Sequence, residues 1–117
     1  MKLAVYAISA PLIAESVFAP LNLWRGRTVA NWIRFTGLSA PSARMVAAPV
    51  KLLAALLLIA GLIWRPLDLV AAAAVLAIAL FYLFRLGHPA RRAADGIVAF
   101  TVFGALAAAL LAVQLLR

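Results

Sequence analysis

Long apolar blocks separated by short polar segments dominate this chain. The last block, residues 96–116, holds 21 residues without a charge, and residues 69–84 hold another 16. In a helix, 21 residues rise about 30 Å, which is the thickness of the hydrocarbon core of a bilayer. The pattern therefore predicts helices that cross a membrane.

Four blocks of this kind predict four transmembrane helices, at about residues 3–23, 45–64, 67–86 and 96–116. Because every backbone polar group must be satisfied inside lipid, we expect an all-α fold. It forms one transmembrane domain, residues 1–117, built as a four-helix bundle. The segment 3–14 also has the length of a signal-peptide core. The apolar run resumes after Glu15, however, so we expect this segment to remain as the first helix.

The one long connection spans residues 24–44. On a helical projection its apolar and polar residues take opposite faces: Val29, Trp32 and Ile33 against Arg27, Asn31 and Arg34. This pattern predicts a short helix lying in the membrane interface. Tryptophan prefers the same interface, so we expect three interfacial anchors: Trp24, Trp32 and Trp64.

Composition excludes several classes of protein. Apolar residues make up 68% of the 117 residues and charged residues 12%, with a mean hydropathy of +1.14. So few charges do not cover the surface of a soluble domain of this size, and disorder requires low hydrophobicity. The chain has no cysteine, which removes thiol redox chemistry and Cys-ligated zinc.

Basic residues give the chain a net charge of +8, but they lie between apolar blocks and form no basic stripe. We therefore expect no nucleic-acid partner and interpret the charge as the positive-inside bias of a membrane protein. Loops one and three hold seven Lys and Arg residues near the membrane, against three on the opposite side. This count predicts cytoplasmic loops and external termini.

The basic residues also bear on the source of the protein and on its lipid contacts. Nine Arg against two Lys are typical of GC-rich bacteria, so we expect a bacterial inner membrane. Five arginines are expected to contact lipid head groups: Arg25, Arg27, Arg34, Arg91 and Arg92.

Two charged residues fall inside the predicted helices. Glu15 belongs to a stripe of mostly small or polar residues that we expect to face the bundle: Ala4, Ile8, Pro11, Glu15, Ala19 and Asn22. Lys51 shares a face of the second helix with a similar set: Ala47, Ala54, Leu58 and Gly61. Measured from loop one, Glu15 is eight residues deep and Lys51 six, about 12 and 9 Å of rise. We therefore predict an ion pair between Glu15 and Lys51.

Three roles are open for these charges. The pair can fix helix packing, or Glu15 can serve as a proton or substrate site, because a carboxylate within a membrane is a functional hypothesis by default. In the third, Lys51 extends to the cytoplasmic interface.

Other polar residues give no catalytic constellation. His88 has no second His or Cys for a metal, and we expect it in a solvated turn. Asp68 and Asp95 are expected to cap the third and fourth helices. We therefore expect no autonomous enzyme, no metal site and no cofactor held by the chain alone.

The order of features resembles the DoxX-like family of small four-helix bacterial membrane proteins. The resemblance lies in FAPLNLW at 18–24, FTGLSAPSARM at 35–45, KLLAALLLIAGLIWRPL at 51–67 and RLGHPARRA at 85–93. It implies an accessory or stabilising subunit of a larger membrane complex. Quinone-linked oxidoreductases are among the complexes that such subunits belong to. The expected partners are the bilayer and other membrane subunits or a second copy. Any quinone or redox cofactor would be shared with, or carried by, a partner.

A second resemblance supplies the alternative function. PLIAESVFAP, residues 11–20, is similar to the first helix of small multidrug transporters, which carry an essential glutamate. In that interpretation Glu15 exchanges protons for a cationic substrate. Loop one is longer than in those transporters, and Lys51 would lie beside a site for cations.

Overall fold

The computed structural model describes residues 2–25, 29–87 and 94–116. Over these ranges the chain is helical apart from short turns, and no strand occurs in them. The elements are α1 (Lys2–Trp24), α2 (Val29–Thr36), α3 (Ala40–Ser42), a π-helical turn (Ala43–Ala47), α4 (Ala48–Gly61), α5 (Arg65–Leu86) and α6 (Ala94–Leu116). The all-α prediction is confirmed, and a short helix does occupy loop one.

Three helices, α1, α5 and α6, are long and apolar enough to cross a membrane. Of the predicted helices, the second differs most. It ends at Gly61 rather than at residue 64, and Trp64 is extended (φ −128°, ψ 111°). The next helix begins already at Arg65, because Pro66 lacks an N–H and suits a first helical turn.

The π-helical turn widens the chain immediately before α4. There the Ala48 N–H donates to the carbonyl of Ala43, five residues back. Pro49 has no N–H and cannot donate to the carbonyl of Met45, so the regular ladder is already broken at this point. Helical backbone nevertheless continues without a gap from residue 40 to residue 61.

The four longer helices pack as a closed ring in the order α1, α4, α5, α6 and back to α1. Its centre is filled by one apolar cluster: Val5, Leu12, Ala54, Leu58, Ala71, Ala72, Val75, Ala107 and Leu110. A second cluster lies at the end where α2 covers the ring: Leu23, Trp32, Ala43, Ala47, Ala48 and Tyr82. The whole extends 41 × 27 × 17 Å, so its long axis is close to the full thickness of a bilayer.

Candidate functional site

The predicted ion pair is present between α1 and α4. Lys51 Nζ lies 3.7 Å from Glu15 Oε1. Lys51 is buried, with 8% of the residue exposed, whereas the Glu15 side chain keeps 24% of its surface exposed. The face of α4 that carries Lys51 is buried as predicted, at Ala47, Lys51, Ala54, Leu58 and Gly61.

The face of α1 differs from the prediction. Its buried positions are Val5, Ser9, Leu12, Ser16, Pro20 and Leu23. The stripe that contains Glu15 lies beside this face and is half-buried, and its member Pro11 is exposed. Glu15 therefore lies at the edge of the buried face of α1, at the wall of a pocket.

Aromatic rings surround the Lys51 ammonium on the side of α5 and α6. Tyr82 and Phe100 stack almost parallel, with ring centroids 3.9 Å apart and planes 7° apart. Lys51 Nζ lies 4.7 Å from the Tyr82 centroid and 5.7 Å from that of Phe100. These distances allow cation–π attraction. The cation therefore has a carboxylate on one side and a stacked pair of aromatic rings on the other.

Helix α2 closes this end of the ring with its own aromatic residues. Trp32 meets Tyr82 edge to face at 5.6 Å, and its Nε1–H donates to Ser42 Oγ at 2.9 Å. Phe35 meets Phe100 in the same way at 6.0 Å. The sequence predicts Trp32 to be an interfacial anchor; the structure instead buries it, because both its ring and its N–H find partners inside the fold.

Two polar contacts tie α2 to the bundle. Arg34 Nη2 donates to Asp95 Oδ2 at 2.7 Å, and Arg85 Nε donates to the carbonyl of Thr36 at 2.7 Å. Asp95 was predicted to cap the fourth helix; α6 begins at Ala94, so Asp95 lies inside its first turn, and its carboxylate pairs with the Arg34 guanidinium. Arg34, predicted to contact lipid head groups, thus contacts Asp95 within the chain and keeps half of its side chain exposed.

A pocket of about 290 Å³ lies beside the ion pair, between α1 and α6 and under α2. Its lining combines the charged pair, two amides and apolar walls: Glu15, Phe18, Ala19, Asn22, Leu23, Asn31, Trp32, Phe35, Lys51, Tyr82 and Phe100. We refer to it as the ion-pair pocket. A second pocket of about 340 Å³ lies between α4 and α5 and is apolar throughout, although Lys51 also lines it. Lys51 therefore presents its aliphatic stem to the second pocket and its ammonium to the first.

A second polar centre occupies the opposite end of the ring. Asp68 is fully buried, and its carboxylate accepts a short hydrogen bond from Gln114 Nε2. Arg65 Nε donates to the Gln114 carbonyl at 2.8 Å. The prediction that Asp68 is a helix cap is therefore wrong: α5 begins after Trp64 without a side-chain cap, and the carboxylate points into the bundle.

An apolar layer separates the two centres. On each helix a fully or nearly fully buried apolar residue lies between them along the chain: Leu12, Leu58, Val75 and Leu110. From Lys51 to Gly61 there are ten residues, about 15 Å of rise. Buried apolar side chains thus lie between the ion-pair pocket and the far end of the ring, and on α1 the fully buried Ser9 lies in the same stretch.

Several predicted residues lie elsewhere. Trp24 and Trp64 are exposed, as interfacial anchors require, and Arg25 is exposed. The predicted lipid contacts Arg27, Arg91 and Arg92 lie outside the described residues, as does His88. In the ranges that the structure describes, no group of three or more His, Cys, Asp or Glu side chains could hold a metal ion.

Sequence reasoning missed the aromatic wall and the Asp68–Gln114 pair. Tyr82 and Phe100 lie four and six residues inside the loop ends of their helices, which places them near the depth predicted for Lys51. That match of depths was a usable signal. Gln114 is a polar residue in the last turns of an apolar helix, at the same end of the bundle as Asp68. This shared position was a usable signal for the Asp68–Gln114 pair.

Comparison with known proteins gave no match to a family model, to a curated protein or to a solved structure. The likeness to the DoxX-like family rests on the sequence segments quoted above.

Proposed function

We propose that this chain is an integral membrane protein with four spanning helices, the fourth being α4 together with the helical turns before it. Residues 40–61 form 22 continuous helical residues, about 33 Å of rise. That length matches a hydrocarbon core, although α4 alone is shorter. The continuity across the π-helical turn is what supports a fourth span.

The outer surface supports the same proposal. Large apolar side chains are exposed on all four long helices, among them Phe18, Leu53, Phe84 and Val102. Extended apolar surface of this kind requires a cover, either lipid or another protein. In the orientation we propose, the end covered by α2 faces the cytoplasm of a bacterium, since the basic residues of loops one and three lie there.

Within that membrane we propose a DoxX-like accessory role, as a non-catalytic subunit that stabilises a larger complex. The observation that carries this proposal is that the two charges inside the helices neutralise each other: Glu15 and Lys51 lie 3.7 Å apart. The outer faces of the helices are apolar and open to partners. Complexes that use quinones or other redox cofactors are the partners that the resemblance implies. The cofactor would then belong to the partner or to the shared interface.

The alternative is a proton-coupled transporter of hydrophobic cations that uses Glu15. The observation in its favour is that Glu15 lines an open pocket of about 290 Å³. Against it, Lys51 already occupies the position of a bound cation, and the apolar layer of Leu12 and Leu58 separates the pocket from the far side.

Purification from the native membrane in mild detergent separates the two functions. A stoichiometric partner in the mass spectrum, with or without a bound chromophore in the absorption spectrum, is the result expected for a subunit. A colourless assembly of this chain alone contradicts it. For the transporter, Glu15→Asp must abolish uptake of a hydrophobic cation by vesicles, whereas Asp95→Glu, an exposed carboxylate, must leave uptake unchanged.

A further inference from the structure

We propose that the ion-pair pocket binds a neutral lipid-soluble molecule whose polar head carries a carbonyl oxygen, and that this oxygen accepts a hydrogen bond from Lys51 Nζ. The inference rests on the membrane location proposed above and is independent of any partner subunit. It is carried by the ammonium, by the charge balance of the pocket and by its apolar walls.

The Lys51 ammonium has more donors than acceptors. It carries three N–H groups, and 10% of its side chain is exposed. The carboxylate of Glu15 lies at 3.7 Å, beyond the usual hydrogen-bond distance of about 2.7–3.2 Å. Among the described residues the rings of Tyr82 and Phe100 are its other close neighbours, and neither ring carbon face is a hydrogen-bond acceptor of the strength of an oxygen. A carbonyl oxygen placed in the pocket therefore gives the ammonium a strong, charge-assisted hydrogen bond.

The charge of the pocket selects a neutral head. The charges of Glu15 and Lys51 already sum to zero. An anionic head would lie beside the negative charge of Glu15, and a cationic head would have to displace Lys51 from Glu15. Like charges about 4 Å apart repel strongly even at the effective dielectric of a partly exposed site. A carbonyl adds an acceptor without adding a charge.

The apolar walls of the pocket favour a ligand whose remaining part is a hydrocarbon chain. The volume of about 290 Å³ is near the lower end of the range for small-ligand sites, which are mostly apolar with a few polar groups. Phe18 lines the pocket and is 63% exposed on the outside of α1. In the proposed membrane Phe18 contacts hydrocarbon, so a chain attached to the head can extend past Phe18 into lipid.

Trp32 supplies a built-in reporter, because it lines the pocket and packs on Tyr82. In a background with the exposed Trp24 and Trp64 changed to Phe, its fluorescence is followed in phosphatidylcholine nanodiscs. Three probes share a dodecyl chain and differ in the head: dodecyl methyl ketone, dodecyltrimethylammonium and dodecane sulfonate. We expect a saturable response to the ketone alone.

Two variants test whether that response depends on Lys51. Lys51→Met combined with Glu15→Met keeps the pocket neutral, leaves no unpaired charge and adds no new hydrogen-bond donor. It should weaken ketone binding about tenfold or more, as loss of a hydrogen bond to a charged group does. Phe84→Leu, 79% exposed on α5, is the matched control near the site and should leave binding unchanged.

Each other outcome overturns the inference. Saturation by the ammonium probe instead would assign the pocket to cations, and equal response to all three probes, or binding that survives the double variant, would mean simple partitioning into lipid. Absence of any saturable response would mean that water satisfies Lys51. If the chain copurifies with a partner and the ketone still does not bind, the proposed subunit role stands and this inference fails.

Discussion

The coupling between Glu15 and Lys51 can be measured with a double-mutant cycle on the free energy of unfolding. The cycle compares the wild type with Glu15→Gln, with Lys51→Met and with the double variant. Gln and Met keep the approximate length and volume of the original side chains, so the changes remove charge more than packing. Each single variant leaves one charge of the pair without its partner, and the double variant leaves none.

The geometry sets the size of the expected coupling. At 3.7 Å, two unit charges attract by about 4.5 kcal/mol at an effective dielectric of about 20. Loss of one partner from a buried pair typically costs about 3–5 kcal/mol. We expect Glu15→Gln to reach this range, because it strands the buried Lys51. Lys51→Met should cost less, because Glu15 is more exposed. The double variant should lie within about 2 kcal/mol of the wild type, since neutral replacement of such a pair is often tolerated.

The free energy of unfolding can be measured in mixed micelles by titration with dodecyl sulfate, with helix content followed by circular dichroism. A matched control cycle uses the exposed pair Arg34–Asp95, with Arg34→Gln and Asp95→Asn. That pair is closer, at 2.7 Å, yet we expect negligible coupling, because exposed ion pairs contribute little. Additive effects at Glu15 and Lys51, to within about 0.5 kcal/mol, would refute the claim that the two charges stabilise each other.

Two further predictions use the same unfolding assay. A Cβ on Gly61 would lie 2.6 Å from Asp68 Cα, whereas one on Gly104 would meet the nearest side chain at 3.4 Å. Gly61→Ala should therefore destabilise by about 1–3 kcal/mol, and Gly104→Ala should be neutral or stabilising; equal effects would contradict this packing. Trp32→Phe and Ser42→Ala both remove the hydrogen bond from Trp32 Nε1 to Ser42 Oγ, so the cost of the double variant should lie about 1 kcal/mol below the sum of the two single costs. Full additivity would argue against that bond.

The sequence was sufficient to predict the helices and the contact between the two charges. Helix length follows from the apolar blocks, and the depths of Glu15 and Lys51 follow from helical rise along chains that share one end. The predicted contact also depended on the faces of the two helices: the face that carries Lys51 is buried as expected, whereas the stripe that carries Glu15 lies beside the buried face of α1. The error in the rotation of α1 was small enough for the two charges still to meet.

Rotation and helix ends were harder to predict, because neighbouring helices decide them. Trp32 was predicted to lie in the membrane interface from the pattern of α2 alone, but Ser42 and Tyr82 give it partners inside the fold. Asp68 resembled a cap because of its place in the chain, yet its carboxylate finds Gln114 on a helix that is 46 residues away in sequence. Partners this distant leave no periodic signal in either segment.

The position of the two polar centres bears on the choice between the proposed functions. A carboxylate that exchanges protons across a membrane must reach both sides in turn, which requires a path through the bundle. In this conformation Leu12, Leu58 and Leu110, all fully buried, lie between the ion-pair pocket and the Asp68–Gln114 centre. Opening a path would separate these close-packed residues and expose the apolar core to water, which is unfavourable. With this layer closed, and in the membrane location we propose, the ion-pair pocket is better suited to holding a lipid-soluble molecule than to moving an ion.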